Sequence, residues 1–222
     1  MPETSASPET GAGEEETILI ADDHPLFRQA LAMAVRGVRP GAAIIEAGTV
    51  AAALEAARGA EKLALVLLDL RMPGAEGFMG VALMHAQRPD VPIIVVSSAD
   101  AAGSAREAVR LGATGFLGKH EDLATMEKVI AAALAGERIA APADAPLDAM
   151  ASKLAGLTPM QLQVLHGVLA GRLNKQIAHD LGIAIPTVKA HMTAILRKLD
   201  VANRTQAVLA ARTLGLTPPP VE

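Results

Sequence analysis

The sequence predicts an α/β fold, a doubly wound five-stranded parallel sheet, followed by a smaller all-α helix-turn-helix module. Three observations predict it. Short apolar runs without alternation recur along the first 120 or so residues, as strands buried on both faces do. Stretches of helical period separate them, the signature of alternating β and α units. From Leu157 onward only helical patterns remain, and the charge changes sign.

Taken in order, Thr17 to Ala21 reads as a buried strand running into Asp22-Asp23, and His24-Pro25 opens a helix through Leu26, Ala30 and Met33. Ile44-Ile45 is a second strand, and Thr49 can cap an Ala-rich helix from Val50 to Arg58. Leu63 to Leu68 is a third strand that ends at Asp69, before the turn Met72-Pro73-Gly74. Gly77 to Gln87 is a helix stopped by Arg88-Pro89, and Ile93 to Val96 is a fourth strand leading to Ser97-Ser98. A helix from Ser104 to Leu111 stops at Gly112, a natural C′ glycine. Gly115 to Gly118 forms the fifth strand, ending at Lys119, and Glu121 to Leu134 is the last helix before Gly136.

Composition bounds the function. The 222 residues contain three Phe and no Trp, Tyr or Cys. The core is therefore aliphatic, and disulfides, thiolate metal sites and a Cys nucleophile are excluded. The apolar runs are too short to span a bilayer, and the acidic start MPETSASPETGAGEEE is the opposite of a secretory signal. The expectation is a cytoplasmic protein that does not engage membranes, with a disordered tail over residues 1–16. Residues 157–222 hold seven Lys and Arg against three Asp and Glu, hence +4, which leaves −8 for the rest of a chain of net charge −4. An acidic first module and a basic last one suggest that the second has a polyanionic partner.

Parallel strands place their carboxyl ends on one edge, where open α/β sheets bind ligands. Asp22, Asp23, Asp69, Ser97 and Lys119 therefore gather there. Singly, each reads as a strand-end polar residue, and Asp69 as the start of an Asx-turn. Together they suggest chemistry. Neighbouring carboxylates resist ionising side by side, and a hard divalent cation, Mg²⁺, relieves this. With the Lys119 ammonium it can neutralise a transferring phosphoryl group, leaving Asp69 as nucleophile and the Ser97 hydroxyl as a donor to a phosphoryl oxygen.

The stretches ADDHPLFR, LVLLDLRMPG, IIVVSS and GATGFLGK give residues 17–136 a resemblance to the receiver domain of two-component response regulators, whose sheet is flavodoxin-like. The resemblance implies that Asp69 accepts a phosphoryl group from a sensor histidine kinase. It implies that Asp23 and Asp69 bind Mg²⁺, with Asp22 acting through water and Arg71 through its main-chain carbonyl. Ser97 and Phe116 match the family's switch pair. One departure is His120, where many receivers have Pro after the lysine.

Residues 137–156 form an Ala- and Pro-rich linker, in which Pro142 and Pro146 argue against a continuous helix, and Leu147 to Leu154 can make a short one. Over residues 157–222, Thr158-Pro159 starts a helix to about Ala170, and further helices run Asn174 to Leu181, Thr187 to Leu199 and Thr205 to Leu214. In the third, Val188, Met192, Ile195 and Leu199 make one apolar stripe. Lys189, Ala190, Thr193 and Arg197 lie opposite and, with Thr187 at the helix start, suit major-groove contact. Lys175, Lys198 and Arg204 are expected phosphate contacts. The text LTPMQLQVL, NKQIAHDLGI, TVKAH and ILRKLDVANRTQAV is similar to the LuxR-type helix-turn-helix of the NarL/FixJ family. Gln161, Leu173 and Ala184 depart from its usual Glu, Ser or Thr, and Ser, and Ala184 removes an N-cap worth about 1 kcal/mol.

The expected function is a phosphorylation-dependent, DNA-binding transcription regulator, a homodimer when phosphorylated, whose partners are a sensor kinase and double-stranded DNA. The alternatives are a phosphorylation-independent regulator whose receiver is a dimerisation platform, and an aspartyl-phosphate phosphatase. A phosphatase of the haloacid-dehalogenase type needs an acid two residues after its nucleophile, where Arg71 stands, so the protein is not expected to be an enzyme.

Overall fold

The computed structural model describes residues 16–98, 101–137, 139, 149–214 and 216. Apart from Glu16, the expected disordered tail lies outside the described residues, as does most of the linker between 138 and 148.

The first module alternates strands and helices: β1 (Thr17–Ala21), α1 (Pro25–Val38), β2 (Ala43–Ala47), α2 (Val50–Gly59) and β3 (Leu63–Asp69). After the short strands β4 (Arg71–Met72) and β5 (Ala75–Glu76) come α3 (Met79–Gln87), β6 (Ile93–Ser97), α4 (Ala101–Arg110), β7 (Gly115–Gly118) and α5 (Leu123–Leu134). The five long strands form a parallel sheet in the order β2-β1-β3-β6-β7. Order reverses between β1 and β3, and a crevice opens at the carboxyl ends of strands at such a switch point.

The apolar runs are buried because both sheet faces are covered. Ile18, Ile20, Leu65, Leu67, Ile94 and Val96 pack with α1 and α5 residues such as Leu31, Val35, Met126 and Ile130. Leu19, Val66, Leu68, Ile93 and Val95 face a second cluster with α2 and α3. Each such aliphatic side chain contributes about 1.5–3 kcal/mol on burial. Thr49 caps α2 by accepting from the Ala52 N–H, and Asp122 caps α5 by accepting from the Thr125 N–H, so α5 begins two residues later than Glu121. The β4/β5 hairpin is absent from the sequence reading. It pairs Arg71 with Glu76 and Met72 with Ala75 around Gly74 at φ 101°, and α3 starts after it at Met79 instead of Gly77. Every peptide bond among the described residues is trans, including those around His120.

The second module is all-helical: α6 (Ala149–Ala155), α7 (Pro159–Leu169), α8 (Asn174–Asp180), α9 (Ile185–Leu199) and α10 (Arg204–Arg212). Thr158 and Gln161 form a reciprocal capping box at the start of α7, and Asp200, in the left-handed region at φ 58°, ends α9. Ala184 stands at the N-cap of α9 with no side-chain bond. Replacing it by Ser should stabilise this module by about 1 kcal/mol, read as a higher urea midpoint by circular dichroism.

The modules dock through α3 against α7 and α6. Leu83 of α3 belongs to the same apolar cluster as Leu154, Leu162 and Leu165. A cleft of about 370 Å³ lies between α2 and α3 on one side and α7 and α8 on the other, lined by Val50, Leu54, Leu83, His166 and Ile177 among others.

Candidate functional site

The residues expected at the sheet edge are brought together there. Asp22 follows β1, while Asp69 and Ser97 are the last residues of β3 and β6, and Lys119 follows β7. Asp22 is fully buried, Asp69 is 4 % and Ser97 1 % exposed. Asp23 is partly buried. The Asx-turn expected at Asp69 is present, and Asp22 makes one too. One oxygen of each closes an Asx-turn: Asp22 Oδ1 accepts from the His24 N–H at 2.8 Å, and Asp69 Oδ1 from the Arg71 N–H at 3.2 Å. The other oxygen of each faces Lys119, whose Nζ lies 2.6 Å from Asp22 Oδ2 and 2.9 Å from Asp69 Oδ2. The turns fix the carboxylates, and the lysine ties two strand ends together.

Burial alone would push the Lys119 ammonium down, but hydrogen bonds and charge from Asp22 and Asp69 outweigh it and hold its pKa above the usual lysine value. Lys119 Nζ also sits 5.0 Å from the Phe27 ring centroid, a cation–π contact that further fixes it. The main chain supports the lysine too, its N–H donating to the Ser97 carbonyl at 2.9 Å. Arg28 steadies the first loop by donating to the Asp22 carbonyl at 2.7 Å and to Glu46 at 2.8 Å. Arg71 is exposed on β4, and Phe116, on β7 beside Val95, is half-buried against the core.

Asp22, Asp23, Asp69 and His24 each offer a donor atom, all within 4.8 Å of one another. Asp23 Oδ1 is buried without a hydrogen-bond partner among the described residues. An acidic, oxygen-rich cluster with an orphaned carboxylate oxygen fits a divalent cation. His24 is a member that the sequence reading did not single out. Its signal there was adjacency to Asp22-Asp23 in a loop, which alone does not set where an imidazole lies.

In the second module Val188, Ile195 and Leu199 are buried and Met192 packs against them, while Thr187, Lys189, Ala190, Thr193 and Arg197 are exposed along one face of α9. The receiver grips α7 and leaves this face open to solvent. Lys175 is exposed on α8. Lys198 and Arg204 use their donors inside the module. Lys198 Nζ bonds the Gly156 carbonyl at 2.8 Å and Gln161 Oε1 at 2.9 Å, and Arg204 bonds the Arg172 carbonyl at 2.5 Å and Asn174 Oδ1 at 3.3 Å. Gln161 thus takes the Lys198 contact as a neutral acceptor, where the family's usual Glu would make it an ion pair. At Leu173 the side chain has no oxygen to offer, and only the reverse bond is made, from its N–H to Gln176 Oε1 at 2.7 Å.

Comparison with known proteins agrees with this architecture. Residues 18–131 match the response regulator receiver domain, and residues 155–211 match the bacterial regulatory proteins of the luxR family. The chain is 37 % identical over 213 residues to a glycerol metabolism activator of Pseudomonas putida, covering 90 % of this chain and 96 % of that one. It is 32 % identical over 206 residues to the nitrate/nitrite response regulator protein NarP of Escherichia coli, covering 86 % and 92 %. A crystal structure of a LuxR-family two-component response regulator from Aurantimonas sp. SI85-9A1 superposes with a TM-score of 0.52 at 28 % identity, covering 58 % of this chain and 91 % of that one. No helix among the described residues is long and apolar enough to cross a membrane. A parallel five-stranded receiver joined to a LuxR-type helix-turn-helix, with relatives of the same build along nearly its whole length, makes this chain a DNA-binding response regulator of the NarL/FixJ family.

Proposed function

We propose that Asp69 is the phosphoryl acceptor and that its phosphorylation, by a sensor histidine kinase, controls DNA binding by the second module. The observation that carries this reading is the Lys119 clamp: one ammonium hydrogen-bonded to Asp69 and ion-paired with Asp22, beside Asp22 and Asp23 oxygens that have no aligned hydrogen-bond partner. An Asp69 oxygen attacks the phosphorus, the donor's imidazole leaves, and an acyl phosphate forms. Lys119, already beside Asp69, exchanges a carboxylate oxygen for a phosphoryl oxygen as charge moves outward. The Ser97 hydroxyl, one strand away, donates to a second phosphoryl oxygen, and Phe116 on the neighbouring strand repacks behind it. Asp22, Asp23, Asp69 and the Arg71 main-chain carbonyl would hold Mg²⁺, which supplies charge neutralisation when bound.

For DNA, Thr187, Lys189, Ala190, Thr193 and Arg197 are the groove-facing set, and Lys175 reaches phosphate. Lys198 and Arg204 each hold two internal bonds and keep further N–H donors for phosphate, so part of their donor capacity is tied to the module. The exposed α9 face bears on the manner of control. Docking on α7 does not cover the reading residues, which favours control through assembly of a homodimer over uncovering of the helix. Two copies present two reading helices to successive half-sites, and phosphorylation shifts the population toward the assembling conformer.

The test measures mass in solution, and affinity for duplex selected by this chain from a randomised pool, with and without beryllofluoride and Mg²⁺. Doubling of the mass with tighter binding is expected. Unchanged mass and affinity would favour the regulator that ignores phosphorylation and uses its receiver as a platform. Steady turnover of a generic phosphate ester would favour the phosphatase; only slow self-dephosphorylation is expected.

A further inference from the structure

His24 occupies the N-cap of α1 but makes no capping hydrogen bond with its side chain. Its Nδ1 lies instead 2.6 Å from Asp23 Oδ1 and 3.3 Å from Asp22 Oδ1. That Asp23 oxygen is still without a hydrogen-bond partner, so the close approach lacks the alignment of an N–H···O bond. A nitrogen and an oxygen donor converge there with no aligned hydrogen between them, an arrangement that a cation satisfies. The ligand atoms of Asp22, Asp23, His24 and Asp69 lie within 4.8 Å of one another. Around a six-coordinate ion with bonds of about 2.1 Å, adjacent donors are about 3 Å apart and opposite ones about 4.2 Å. Small rotations of side chains close that difference. The imidazole is free to make them, since 67 % of its side chain is exposed.

Donor type then decides which ion gains. Mg²⁺ prefers oxygen donors and keeps several waters, whereas first-row transition ions accept an imidazole nitrogen beside oxygen donors more readily, borderline Co²⁺ strongly and the harder Mn²⁺ more weakly. The geometry points to His24 Nδ1 as a nitrogen ligand of the divalent-ion site, which thereby takes an ion such as Mn²⁺ or Co²⁺ in preference to Mg²⁺. This rests on the cation-binding reading of the acidic cluster and adds a ligand and a selectivity to it.

The probe is Mn²⁺ alone, added to the full chain with no phosphoryl donor. Electron spin echo envelope modulation of the bound ion should show coupling to one ¹⁴N nucleus, absent in His24→Ala. Isothermal titration should show the ratio of Mg²⁺ to Mn²⁺ dissociation constants falling at least fivefold in the same variant. Because the His24 side chain makes no cap bond, the variant should keep its fold, which circular dichroism checks; His24→Asn, a better cap without an imidazole, must behave alike. Mn²⁺ bound without nitrogen coupling, at an unchanged ratio, would overturn the inference and leave His24 a surface partner of Asp23. Mn²⁺ binding that is absent, or indifferent to Asp23→Asn, would overturn the underlying site as well.

Discussion

Asp69→Asn should abolish phosphoryl uptake from a small-molecule donor such as acetyl phosphate, by more than about a hundredfold, because the amide has no nucleophilic oxygen anion. The substitution keeps the shape, and the amide oxygen can still accept from the Arg71 N–H, so the turn after β3 survives. One of the two Lys119 partners loses its charge while Asp22 keeps its own. Phosphoryl incorporation checks the chemistry, and circular dichroism checks the fold. The same variant should also fail to dimerise or gain DNA affinity in the presence of donor. Retained labelling would move the acceptor elsewhere. Lost labelling with full donor-dependent DNA binding would uncouple Asp69 from the second module.

The second large effect is on stability. Lys119→Met removes the cation from between two carboxylates that are 0 % and 4 % exposed. Removing one partner of a buried ion pair costs about 3–5 kcal/mol. The Lys119 and Asp23 side chains are partly exposed, so a smaller loss, about 2–3 kcal/mol, is expected for the receiver transition. With no Trp or Tyr in the chain, urea unfolding followed by far-ultraviolet circular dichroism is the natural readout. Millimolar Mg²⁺ or Mn²⁺ should restore most of the loss, because a divalent ion neutralises the same oxygens. The lysine's own contribution has a defined window. Its folded pKa is raised, so the contribution is complete below the unfolded value of about 10.4 and fades as pH climbs through the folded one. An unchanged urea midpoint, or no recovery with divalent ion, would show that Lys119 does not hold the carboxylates together.

Much of the receiver site was legible because parallel topology converts a one-dimensional pattern into a place. Once Thr17–Ala21, Leu63–Asp69, Ile93–Ser97 and Gly115–Gly118 are parallel strands, the residues at their ends share an edge whatever the details of packing. The same holds for the exposed face of α9, where apolar spacing separates Val188, Ile195 and Leu199 from Lys189, Thr193 and Arg197. For Asp69 the expected Asx-turn is present and leaves its second oxygen to the lysine, so the turn takes up one oxygen only.

What the sequence by itself determined was the order of the five long strands and the helices between them and the aliphatic core, which follow from local periodicity, and the gathering of charge, which follows once those strands are parallel. Tertiary structure alone decided how long side chains spend their donors. Lys198 reaches back across 42 residues to the Gly156 carbonyl, and Arg204 across 32 to that of Arg172, so both cations also tie the module together. It likewise decided that the receiver holds α7 and not the reading helix, and that His24 turns toward Asp23 instead of capping its own helix. Each of these depends on a partner that folding brings near, and no spacing along the chain encodes that distance.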